Sequence, residues 1–263
     1  MTIQKLPLEA VQKVRQYIKS NLALPESENY PKPQTLFDTS EEPPEPESLD
    51  ALGDLFKFAS LPEEETPSPN TEGHWFVSAV NPGSTLLKLP GLKLKPNFRL
   101  AGYLYRVPEG GAGSIWALPE EFSTTAQLEQ ALAASGDRAQ PPQPSGALVD
   151  FMEAVEGDRS PSSYLVASIL RRELQEFGVL GKYCEWSHHH LINTIPPQIK
   201  WQWRKAAPKD LIPKVASFSD GRVAVEFFTC RVVPPVAIFR HLDQYVAGTY
   251  KATCANQALA IKV

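Results

Sequence analysis

Residues 160–193, SPSSYLVASILRRELQEFGVLGKYCEWSHHHLIN, decide how the rest of the chain is read. Ser160 stands where a helix N-cap would, and Pro161 takes the first helical position, where its missing N–H costs nothing. Val166, Leu170, Leu174 and Phe177 follow at spacings of four, four and three, which stacks them on one helical face. Arg171, Arg172, Glu173 and Glu176 fall mostly elsewhere on the wheel. Gly178 follows the last periodic residue as a C′ glycine does. The expectation is a helix over residues 161–177.

Past Gly181 the period changes. Residues 182–192 fit a strand with Cys184, Trp186, His188, His190 and Ile192 on one face. Glu185, Ser187, His189 and Leu191 then take the other. His188 and His190, side by side on that strand, are candidate ligands for a divalent metal, since neutral imidazole is a common ligand. Neither HExxH nor paired CxxC spacing accompanies them, and His74 and His241 stand isolated in the sequence. The plainer reading is a half-exposed strand with polar histidines. No other cofactor is expected.

Downstream, Pro196-Pro197 breaks the chain and Trp201, Trp203, Arg204 and Lys205 form a basic aromatic segment over residues 200–205. Asp220-Gly221 is a hairpin signal between residues 214–218 and 222–232. Residues 238–246 and 249–254 complete an antiparallel meander, with the helix covering one face. This is an α+β arrangement.

Upstream, residues 147–156 place Leu148, Phe151, Met152 and Val155 on one side of a further short helix. Residues 137–146 are a proline-rich connector. Thr124 and Gln127 make a capping box for a helix over residues 124–135. Residues 74–119 read as strands, including 86–94, 98–107 and 114–118. The run Glu109-Gly110-Gly111-Ala112-Gly113 suits a hairpin loop, because a phosphate loop would feed a helix N-terminus.

The first 24 residues carry an amphipathic helical stripe of Leu8, Val11, Val14, Ile18 and Leu22, expected to dock on the body or on a partner. Residues 25–72 form an acidic, proline-rich linker, and residues 49–61 within it a short apolar helix bearing Leu52, Leu55 and Phe56. From Glu26 to Glu72 thirteen acidic residues face two lysines, whereas residues 191–263 hold ten basic and four acidic ones. That asymmetry lies beneath a net charge of −4. The expected organisation is an N-terminal helix (1–24), the linker (25–72), a β-rich lobe (73–136) and an α+β lobe (147–263).

No run approaches the roughly 20 apolar residues of a membrane span. The N-terminus lacks the pattern of a secretory signal. Three cysteines, an odd and sparse set, argue for a reducing compartment, with the cytoplasm as the expectation. No GxSxG, Walker or dinucleotide-binding pattern points to an enzyme. The best catalytic constellation is Cys184, His188 and His190 with His241 and Asp243, if their strands are neighbours. The leading expectation is a non-catalytic accessory protein that binds protein partners through Leu52, Leu55, Phe56, Trp201, Trp203, Arg204 and Lys205. One alternative is an enzyme or metal protein using the Cys184/His188/His190 strand. Another is single-stranded nucleic-acid binding through residues 200–205, where aromatic platforms stand beside cations.

Overall fold

A helix buried on nearly every side sits at the centre of the fold. The computed structural model describes residues 1–29, 72–204 and 206–263. In chain order they form β1 (Thr2–Lys5), α1 (Leu8–Asn21), α2 (Glu26–Asn29), β2 (Trp75–Val77), β3 (Leu92–Leu94), β4 (Phe98–Val107), β5 (Gly110–Pro119), α3 (Thr125–Leu132), β6 (Val155–Gly157), α4 (Pro161–Gln175), β7 (Leu180–Gly181), β8 (His189–Ile192), β9 (Trp201–Trp203), β10 (Lys214–Ser217), β11 (Val223–Arg231), β12 (Ala237–Tyr245) and β13 (Ala252–Lys262).

The central helix is α4. Its start is as expected, with Ser160 accepting from the Ser163 N–H and Pro161 in the first turn. Its burial is wider than one stripe. Arg172 and Glu173, expected on the polar side, are also buried, because each finds a partner far away in sequence. Gly178 takes a positive φ of 69° just beyond the helix end.

The expected meander forms the spine of a seven-stranded antiparallel sheet ordered β1-β10-β11-β12-β13-β9. The fold class is α+β. β10 pairs with the first half of β11 and β8 with its second half, so both lie along the same strand. The first residues, expected within the N-terminal helix (1–24), instead add β1 to the sheet through Thr2↔Ser217. α1 then docks on α4, burying Val11, Ile18 and Leu22.

Strands β2, β4 and β5 build a second sheet that β7 completes from beyond α4, in the order β2-β4-β5-β7, and β3 pairs with β6. One hydrophobic cluster joins Val11 and Ile18 with Leu100, Ala117, Leu170 and Phe227. It therefore draws on chain from both sides of the connector at residues 137–146.

Three local expectations differ. The β4–β5 loop is only Pro108 and Glu109, and the glycine run begins β5 instead of forming the loop. The run is glycine because neighbours approach closely: a Cβ at Gly113 would lie 1.9 Å from the Phe177 carbonyl oxygen. Residues 147–156 form a 3-10 turn, Phe151–Ala154, started by Asp150 accepting from Met152 N–H, and then β6. Residues 82–87 are likewise a 3-10 turn, so only Leu92–Leu94 of the 86–94 stretch is strand.

Beside that glycine run lies Arg106, which is wholly buried. Its Nε donates to the Glu28 carbonyl at 2.6 Å, and Nη1 donates to the carbonyls of Tyr105, Ala112 and Gly178. Burial lowers its pKa to about 10, against the opposing pull of Glu28. The Glu28 carboxylate in turn accepts from Ser78 Oγ and Ala79 N–H.

Gly113→Ala is expected to destabilise the protein by about 2 kcal/mol or more, because backbone on both sides must shift. Urea unfolding checks this; an unchanged midpoint would show that β5 and the end of α4 are not held in contact.

Candidate functional site

The last turn of α4 carries Arg172 toward the sheet, where Asp243 of β12 receives it. Arg172 Nη1 donates to Asp243 Oδ2 at 2.5 Å and Nη2 to Oδ1 at 2.7 Å. This is a two-pronged, charge-assisted pair. Both side chains are nearly inaccessible to solvent, at 7% and 0% exposure. Burial works against the Arg172 charge, and the Asp243 carboxylate outweighs it, holding the guanidinium above its ordinary range. Burial likewise pushes the Asp243 carboxyl up, and Arg172 overcomes it, holding the group below its usual range.

From this pair a line of polar contacts runs across β13, β12 and β11 to β8. Arg172 Nη2 donates to Asn256 Oδ1 at 3.3 Å, and that oxygen lies 2.7 Å from His241 Nδ1. His241 Nε2 is 2.8 Å from Thr229 Oγ1, which is 2.8 Å from His189 Nδ1. The antiparallel registers Thr229↔Leu191, Phe227↔His241 and His241↔Asn256 place these residues side by side.

Aromatic rings enclose both imidazoles. Phe227 stacks on His241 at 4.8 Å between centroids, Phe239 lies 4.8 Å from His189, and Trp186 contacts both. Burial lowers the His189 pKa to about 4, with Arg231 and Arg15 adding to it. Burial and the Arg172 charge lower that of His241 to about 3.

α1 closes the other side. Arg15 Nε donates to Glu173 Oε1 at 2.6 Å, and its Nη atoms donate to the carbonyls of Trp186 and His189. Trp186 Nε1 donates to the same Glu173 oxygen at 2.6 Å, and the Arg15 guanidinium lies over the indole. The amphipathic N-terminal helix is thus part of the site's wall.

What remains open is a cleft of about 520 Å³ whose lining includes Trp186, His189, Arg231, Phe239, His241 and Asn256. Arg231 makes no ion pair among the described residues, and His189 Nε2 makes no hydrogen bond there. A cavity of about 670 Å³ lies near Lys95, Arg159 and Lys251. Lys251 is engaged there by Glu153 at 2.6 Å in a solvent-exposed pair, and no imidazole lies in its lining.

The strand expected over residues 182–192 is mostly absent. Glu176 explains why: its carboxylate accepts from the backbone N–H groups of Glu185, Trp186 and Ser187. Three consecutive N–H groups reach one carboxylate only in a tight turn, and Trp186–His188 is a 3-10 turn. The alternation is therefore reset. His188 lies in the turn, His190 is exposed on β8, and His189, expected on the opposite face, enters the cleft. No group of three or more His, Cys, Asp or Glu placed to hold a metal occurs among the described residues. Cys184 is half-buried, its Sγ directed to the Val179 carbonyl, and burial pushes its thiol up.

His241 and Asp243, joined to the histidine cluster only on the condition that their strands were neighbours, lie on β12, which β11 separates from β8. Thr229, Asn256 and Arg172 carried no sequence signal for the site. Trp201 and Trp203 lie on β9 at the sheet edge, half-buried. Trp201 Nε1 donates to the Pro196 carbonyl, and Trp203 packs by Leu211, Phe228 and Leu259. Arg204 is exposed. Lys205, Leu52, Leu55 and Phe56 lie outside the described residues, as does the helix expected over 49–61. No helix among the described residues is long and apolar enough to cross a membrane. No family model, no curated protein and no solved structure matches this chain.

The two imidazoles set a pH dependence. Both have folded pKa values below the roughly 6.5 of an unfolded histidine. Below that value the unfolded chain binds protons that the fold refuses, so stability falls as pH drops toward 4 and then 3. Asp243, held below its ordinary range, adds a loss of the same sign at still lower pH. Urea unfolding at about pH 7 and about pH 4.5 should show a smaller loss in a His189→Gln, His241→Gln double variant than in wild type. Equal losses would show that the imidazoles ionise inside the fold.

Proposed function

We propose that this chain is a binding protein for a small anionic molecule with an apolar body, held in the cleft between the end of α4 and the sheet. The observation that carries the reading is the pairing of two unused polar groups, Arg231 and His189 Nε2, with the aromatic walls Trp186 and Phe239 in one cleft. A volume of about 520 Å³ suits a small molecule, and such sites combine apolar walls with a few placed polar groups. The neighbouring groups are already committed: Arg172 to Asp243, Arg15 to Glu173, and Glu176 to three backbone N–H groups. Their order is therefore in place before a ligand arrives, which lowers the cost of binding.

Binding is favoured over catalysis by the basicity of His189. A general base works best with a pKa near the operating pH, and one near 4 is a weak acceptor of protons at neutrality. The same nitrogen is a good hydrogen-bond acceptor. The half-buried thiol of Cys184 is pushed up, away from the low pKa of an activated nucleophile.

Thermal unfolding in the presence of small aromatic carboxylates tests the proposal. A ligand at 100 times its Kd contributes about 2.7 kcal/mol of stability, an increase readily seen in the Tm. Arg231→Ala should weaken binding about tenfold or more, and added salt should weaken it in wild type. A panel in which no carboxylate raises the Tm, or in which Arg231→Ala binds as wild type does, would contradict the reading.

A further inference from the structure

The direction of every hydrogen bond from Arg172 to His189 follows from one fact: a guanidinium only donates. Arg172 Nη2 must therefore meet an acceptor at Asn256, the amide oxygen. The same oxygen faces His241 Nδ1, so that nitrogen carries its proton. His241 is buried against Phe227 beside a permanent positive charge and is neutral, which leaves its Nε2 as an acceptor. Thr229 has one hydroxyl proton, and it goes to that Nε2. The hydroxyl's lone pairs then face His189 Nδ1, a contact that forms only if Nδ1 is the protonated nitrogen. His189 is neutral as well, so its Nε2 bears a lone pair and no hydrogen.

We infer that this directed chain makes the cleft select ligands that donate a hydrogen bond: a carboxylate for Arg231 that also carries an O–H for His189 Nε2, in short a hydroxy acid with an apolar or aromatic body. The inference rests on the ligand-binding reading above and adds the polarity of the site. An imidazole free to exchange its proton serves donors and acceptors alike. Here exchange would require Thr229, His241 and Asn256 to reverse together, and Asn256 cannot, because Arg172 holds its oxygen. A keto analogue would set a lone pair against a lone pair, and a deoxy analogue would cover the open nitrogen without giving it a partner, which is where polar sites discriminate most. A metal ion is the other natural partner for a bare imidazole nitrogen. The guanidiniums of Arg231, Arg15 and Arg172 all act on this ring and disfavour a cation. Glu185, at the exposed rim of the lining, and Glu176, whose oxygens are taken by backbone N–H groups, are the acidic groups on the cleft.

Two measurements test this on the full chain. Ring-nitrogen NMR of the free protein near pH 7 should show His189 with a protonated Nδ1 and a bare Nε2. Thr229→Val should shift His189 toward the Nε2–H form, and Thr229→Ser, which keeps the hydroxyl, should not. A protonated Nε2 in wild type overturns the inference. Calorimetry then compares phenyllactate, 3-phenylpropionate and phenylpyruvate, which share an aromatic body and a carboxylate. Phenyllactate should bind about tenfold or more tightly than the other two, and the ratio should fall to about threefold or less in Thr229→Val. Equal affinities overturn donor selection with the binding reading intact. Binding of none of the three removes that reading and the selection with it, whatever the NMR spectrum shows.

Discussion

The Arg172–Asp243 pair is the constraint around which the rest of the structure is arranged. Taking two charges out of water costs several kcal/mol per ion, and only good geometry with further hydrogen bonds offsets it. Both conditions are met: two short contacts to the carboxylate, a third to the Ser168 carbonyl, and a fourth to Asn256. Apolar packing is non-directional and would let α4 slide along the sheet. The ion pair would not. It acts with other polar contacts that register the helix on the C-terminal hairpin, among them Ser168 with Tyr245 at 2.7 Å, the Tyr164 carbonyl with Tyr245 at 3.2 Å and Ser163 with Tyr250 at 2.8 Å. Loss of one charge in such a pair leaves the other buried without compensation, a cost of about 3–5 kcal/mol.

Order at the ion pair is what makes order at the cleft possible. Asn256 and Thr229 each join one polar group to the next, so the arrangement reaches from the helix to His189 across three strands. The surrounding rings exclude water and keep both imidazoles neutral, and the guanidiniums reinforce this. Arg15 binds the N-terminal helix to the same assembly through Glu173 and Trp186. The helix that looked from its sequence like a docking arm therefore helps to hold the wall of the site.

Much of this architecture was legible, and the limits of legibility have a physical pattern. The Ser160 cap, the Thr124 and Gln127 capping box and the Asp220-Gly221 hairpin were all readable, because each depends on residues a few positions apart. The turn at Trp186–His188 was not, because a carboxylate from the preceding helix imposes it. Arg172 and Glu173 looked like surface charges because their partners lie 71 and 158 residues away. The glycines after Glu109 suited a hairpin loop, whereas the fold uses their lack of a Cβ to admit Phe177 and Arg106. Alternation along the histidine run set His188 and His190 on one face, whereas the turn carries His189 into the cleft and leaves His190 exposed.

The central claim is that the ion pair and the histidine line behave as one unit. A double-mutant cycle between Asp243→Asn and Thr229→Val tests it most directly, with stability read by urea unfolding. The two residues sit on different strands with no shared hydrogen bond, so independent effects would add to within about 0.5 kcal/mol. The account predicts a coupling of about 1 kcal/mol or more, because either change breaks the same chain of oriented bonds. Additive losses would contradict it, and would mean that the buried pair and the cleft are separate features that happen to share a sheet.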